Sequence, residues 1–235
     1  VPFLASALLV ALGLYMRLKL TETPAFKAAL ANDERVRLPM LSVAAEHPRA
    51  LALGTLAAVA TFVLFYLMTV FTLNWGTTAL HYPRQRFLTL QMISVLFFAA
   101  AIPLSAVIAD RRGRHRTLAW VSLAIALFGL VLAPLFGSGS LGGVLLCLIL
   151  GQFLMGLTYG PLGTLLAELF PTAVRYTGAS LTFNLAGILG ASLAPYIATW
   201  LATHYGLAYV GYYLTVAAVI TLLAILGSSL DARAG

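Results

Sequence analysis

Six stretches of this chain, 51–73, 87–108, 117–136, 141–166, 178–202 and 208–227, contain no Asp, Glu, Lys or Arg. Each is about twenty residues long, and a helix rising about 1.5 Å per residue needs about twenty to cross a hydrocarbon core of about 30 Å. Inside a bilayer every backbone N–H and C=O must be satisfied within the protein, so such stretches fold as helices. The expected fold class is therefore an all-α integral membrane bundle of six spans. The composition agrees, with 61% apolar and only 9% charged residues, where soluble domains carry about 25% charge.

The charges that remain lie between the spans. Arg111, Arg112, Arg114 and Arg116 crowd one short turn, and the polar segment 17–50 holds six more Lys and Arg. Placing these two connections on one side puts twelve basic residues there and leaves Arg84 and Arg86 on the other. By the positive-inside rule the crowded side is cytoplasmic, which places the C-terminal tail, 228–235, inside as well. The formal net charge of +7 is thus a matter of topology and predicts no nucleic-acid partner. All seven carboxylates fall on the same inner side. Trp75, Tyr82, Trp120, Tyr176, Trp200, Tyr205 and Tyr209 sit near the span ends, as an interfacial aromatic belt requires.

Ahead of the six spans, the apolar run 1–16 would reach only about 24 Å. It reads as the end of a preceding transmembrane helix, which makes the chain a fragment. Segment 17–50 reads as a cytoplasmic linker with one or two short surface helices, one starting at Thr23-Pro24. The bundle proper is 51–227.

Polar residues within the spans are few. Gln152 and Tyr159 share one helical face, Gln91 lies on the second span, Tyr66 on the first and Asn184 on the fifth. Either these five line a wet, uncharged substrate path, or each bonds a neighbouring helix. Gly160, Pro161, Gly187, Gly190 and Pro195 punctuate the fourth and fifth spans, where they favour bending and close packing.

Other chemistries find no support. Ser180 and Ser192 have no histidine at matching depth, since His47, His81, His115 and His204 fall in loops or at interfaces, so an embedded hydrolase lacks its base. Lys19 and Lys27 lie in the linker, which excludes an intramembrane Schiff base. Neither a metal-ligand cluster nor a phosphate loop is present, and no cofactor is expected. Cys147 stands alone in an apolar run.

Two loops and the linker carry a family resemblance. Asp110-Arg111-Arg112-Gly113-Arg114-His115-Arg116 resembles the Gly-x-x-x-Asp-Arg-x-Gly-Arg-basic loop signature of the major facilitator superfamily, with Ala106 in place of the glycine and His115 in place of a final Lys or Arg. Glu168-Leu169-Phe170-Pro171-Thr172-Ala173-Val174-Arg175 is similar to the Glu-x-Phe-Pro-x-x-x-Arg signature that follows the tenth helix in sugar-porter-like and metabolite:proton symporter-like members. The stretch from Arg17 to Phe26 is similar to the segment after the sixth helix in metabolite:proton symporters. The resemblance implies that 1–16 ends helix six and that the six spans are helices seven to twelve. It also implies a carrier of small organic acids or zwitterions, driven by protons, working with an N-terminal six-helix half.

From these loops we expect a charge network of Asp110, Arg111, Gly113, Arg114, Glu168 and Arg175, with Glu168 on an arginine of the turn and Arg175 on Asp110 or another acid. Such a network either biases the protein between two transport states or only sets topology. A proton-coupled carrier normally holds a carboxylate or histidine within its bundle. The six spans have none, so coupling groups must belong to the other half, or the protein works by facilitated diffusion. A membrane-embedded enzyme and a passive channel are the rival readings.

Overall fold

A computed structural model describes residues 10–16 and 39–234, with side-chain placement left undescribed at 39 and 230–234. The chain forms two units, 1–37 and 38–235. In the first, residues 10–16 are helical with exposed side chains. The expected helix start at Thr23-Pro24 and the Arg17 to Phe26 motif lie outside the described residues.

The second unit is built from seven helices among the described residues. A short helix α1 (Pro39–Glu46) precedes six long ones: α2 (Pro48–Thr78), α3 (Arg84–Arg112), α4 (Arg114–Phe136), α5 (Leu141–Glu168), α6 (Arg175–His204) and α7 (Leu207–Ala234). All six long helices are long and apolar enough to cross a membrane. Most run a turn or so beyond the uncharged stretches, because charged residues at a span end, such as Arg84 and Asp110 to Arg112, continue the helix into the interface. Local chemistry sets several of the ends. Pro48 occupies the first turn of α2, where its missing N–H costs nothing. The Ser140 hydroxyl caps α5 by accepting from the Gly143 N–H at 3.1 Å.

Two helices depart from α geometry. The 67–71 stretch of α2 and the 188–192 stretch of α6 are single π-helical turns. The second lies between Gly187 and Pro195, and proline cannot donate back to the preceding turn. The first contains no proline. Instead the Gln91 side-chain amide of α3 donates to the Met68 and Thr69 carbonyls at 2.9 and 3.0 Å, satisfying groups of a widened ladder. By contrast, α5 remains continuous through Gly160 and Pro161, so these two residues do not break it.

The core lies between α2, α4, α5 and α7, where Leu64, Leu67, Ile125, Leu132, Leu148 and Leu214 are fully buried. Apolar packing alone gives membrane helices little direction, because lipid tails are equally apolar, so small residues and hydrogen bonds set register. Gly156 and Gly160 face the α3 backbone at Phe98, Ile102 and Ala106 with no room for a side chain. On the opposite side Thr221 of α7 donates to the Leu56 carbonyl at 2.7 Å and accepts from the Ala60 N–H at 3.1 Å. Its hydroxyl is thereby inserted into a rung of the α2 ladder.

Candidate functional site

The two charged loops have the geometry that follows most directly from sequence. A single residue, Gly113, joins α3 to α4. Its φ is 88°, a conformation open to glycine and costly for other residues. That turn brings Arg114, the first residue of α4, onto Glu168, the last residue of α5, as an ion pair. Glu168 therefore meets an arginine of the turn. The two side chains are 36% and 44% exposed, so water screens the contact.

Beyond Glu168 each signature residue has a physical task. Phe170 is 2% exposed and fills the space left by the missing side chain of Gly178. Its ring also meets His47 edge-on at 6.5 Å. Pro171 follows the end of α5, and the Arg175 Nε–H donates to the Phe170 carbonyl at 3.3 Å, closing the loop on itself. The expected pairing of Arg175 with Asp110 is not formed; among the described residues no ion pair joins them. The reason is local, since a loop carbonyl five residues back is nearer at hand than a carboxylate on another helix. Asp110 and Arg111 are exposed.

The expected path residues divide into two groups. Tyr66 and Tyr159 are half-buried, and Tyr159 packs edge-on against Phe98 at 5.3 Å. Tyr66 stands immediately before the π turn of α2. Asn184 is exposed on α6, tethered to the Ser180 carbonyl at 2.7 Å. It lines two clefts, of about 280 and 250 Å³, that share Phe183 and extend from Gly163 and Tyr176 to Phe62 and Ser192.

The two glutamines behave differently. Gln91 spends its amide N–H groups on the π turn, the cross-helix bonding that was the alternative to path lining. Gln152 is 1% exposed and its Oε1 has no protein hydrogen-bond partner, so it faces protein rather than an open path. Gly187 and Gly190 face Phe62, and Gly190 sits against it too closely for a side chain. Sequence reasoning missed Phe62, Phe183 and Thr221, since an apolar ring or a lone threonine in an apolar run carries no pattern of its own.

Burial is uneven around the bundle. In their most apolar windows α3 and α6 are only 22% and 28% buried, against 44–56% for the other four. On α3 the uncovered residues include Met92, Leu96, Phe97 and Leu104; on α6 they include Ile188, Leu189 and Tyr196.

The bundle and its two charged loops define a multi-span α-helical membrane protein. A family model described as Major Facilitator Superfamily matches residues 1–190, and the chain belongs to that superfamily. It is 46% identical over 231 residues to the inner membrane metabolite transport protein YhjE of Escherichia coli K12, covering 96% of this chain and 52% of that protein. It is 30% identical to the glycine betaine/proline/ectoine/pipecolic acid transporter OusA of Dickeya dadantii, covering 94% of this chain and 46% of that protein. It is 28% identical to the citrate-proton symporter of Salmonella typhi, covering 85% of this chain and 46% of that protein. All three are named as transport proteins. The chain spans about half the length of the curated relatives it matches. No solved structure matches it.

Proposed function

We propose that this chain is the C-terminal half of a secondary transporter of the inner membrane. It moves a small zwitterion or organic acid by alternating access, with proton symport. In this reading 1–16 ends the sixth helix, 17–50 is the central cytoplasmic loop, 51–227 supplies helices seven to twelve and 228–235 is a cytoplasmic tail. The observation that carries the reading is the uneven burial of α3 and α6. Two helices of a bundle with uncovered faces are suited to meet a second bundle, and carriers bind substrate at such an interface near the midplane.

Asn184, Tyr66 and Tyr159 are the path residues in this account. They offer hydrogen bonds but no charge, which suits one polar end of a zwitterion; Gln91 and Gln152 stand behind them. By their names, one relative transports glycine betaine, proline, ectoine and pipecolic acid, and another is a symporter of citrate and protons. The Arg114–Glu168 pair belongs to an inner-side latch with Asp110, Arg111, Gly113 and Arg175 around it. It closes in one transport state and opens in the other.

Uptake into proteoliposomes under an imposed pH gradient tests the coupling. Accumulation of labelled betaine, proline or citrate that rises with an inwardly directed proton gradient, and collapses with a protonophore, is the expected result. Saturable uptake indifferent to the gradient would replace symport by facilitated diffusion.

A further inference from the structure

The start of α4 breaks a local rule. The helix N-terminus carries a partial positive charge and favours Asp or Glu in its first turn. Here the first turn has no acidic residue and no side-chain cap, and it holds Arg114, His115 and Arg116, with Arg111 and Arg112 directly before Gly113. Of these five side chains, only Arg114 has an ion-pair partner among the described residues. Like charges gathered on the positive end of a helix cost stability unless something negative joins them.

The surroundings indicate what that is. A groove of about 720 Å³ runs from these residues between α4 and α7, with Arg112 and Arg116 at its mouth and Trp120, Leu222 and Leu226 along its wall. A second groove of about 290 Å³ lies on the α3 side, and it too is bordered by Arg112, Arg116 and Trp120. Among the described residues, no acidic one lines either groove. Arg116 and Trp120 stand one helical turn apart on one face, and Trp120 is 63% exposed. Two apolar furrows thus diverge from one basic mouth, with an exposed indole between them.

We propose that this is a binding site for a two-chain anionic glycerophospholipid of the phosphatidylglycerol type. Its phosphate is held by Arg112, Arg116 and the free N–H groups of the first α4 turn, and one acyl chain lies in each groove astride Trp120. Charge complementarity selects an anionic head, and the paired furrows select a lipid over a free anion.

The test uses the protein reconstituted in phosphatidylcholine vesicles containing a minor fraction of brominated phosphatidylglycerol or of brominated phosphatidylcholine. Bromine quenches indole emission at contact, and the Trp120 component is the emission lost on Trp120→Phe. We expect the brominated phosphatidylglycerol to quench this component about threefold more than its phosphatidylcholine counterpart at equal content. R112Q/R116Q should abolish the preference. Leu226→Phe, which narrows the groove without altering charge, should weaken it, whereas a diffuse anionic annulus would not respond to that change. Millimolar inorganic phosphate should leave the preference intact. Equal quenching by both lipids overturns the proposal, as does a preference that survives both R112Q/R116Q and Leu226→Phe. Loss of the preference to inorganic phosphate also overturns it, because the site would then bind a free anion and no lipid.

Discussion

Arg114, the first residue of α4, is ion-paired with Glu168, the last residue of α5, so one contact ties the α3–α4 turn to the loop that leads into α6. Both side chains are more than a third exposed, and such a pair is worth at most about 1 kcal/mol. That is too little to hold the fold. It is enough to shift a two-state equilibrium about fivefold.

Reversing either charge should therefore lower the maximal transport rate about fivefold with little change in thermal stability. The double reversal R114E/E168R should recover most of the rate. Uptake kinetics and a melting curve on the same three preparations check both halves of the statement.

The α3–α5 seam makes a second expectation. A Cβ on Gly160 would stand 2.9 Å from both the Ile102 carbonyl and the Ala106 amide, backbone atoms that cannot step aside. Gly160→Leu should destabilise the bundle by about 1–3 kcal/mol, the usual cost of overpacking. Gly163, only one turn further on, has nothing within 4 Å, so Gly163→Ala should be neutral or slightly stabilising. Thermal unfolding in detergent separates them.

Thr221 supplies a third. Its hydroxyl both donates to Leu56 and accepts from Ala60, and the residue is 3% exposed. Thr221→Val preserves shape and removes both bonds, leaving buried backbone groups to find each other across a gap. A loss of about 1–3 kcal/mol is expected, and Thr221→Ser, which keeps the hydroxyl, should lose less. The same melting assay decides.

Asn184 and Gln91 distinguish a path residue from a strut. Asn184 is exposed and bonded only within its own helix, so Asn184→Ala should raise KM for the transported solute while stability changes by less than about 0.5 kcal/mol. Gln91→Ala removes the donor to two carbonyls of the α2 π turn and should lower the melting temperature first.

The six helices were legible because a bilayer demands length and apolarity, and both are written along the chain. Gly113 was legible for a similar reason: a one-residue turn between basic helix ends admits little else. The π turn at 67–71 was not, since no proline or glycine marks it and its partner Gln91 lies on another helix. Gln152 illustrates the opposite limit. Helical spacing places it on one face with Tyr159, yet only the packing of neighbouring helices decides that Gln152 is enclosed while Tyr159 is half open. Arg175 likewise carries a charge that suggests a distant acid, and a carbonyl five residues away takes its Nε–H instead.

Counterflow tests the proposed alternating access most directly. Proteoliposomes preloaded with unlabelled betaine, proline or citrate and diluted into a trace of the same labelled solute are followed over time. A carrier that re-orients with bound solute predicts a transient overshoot of label above its equilibrium level for at least one of the three, reduced by Asn184→Ala. A monotonic approach to equilibrium for all three, without saturation, would contradict the claim.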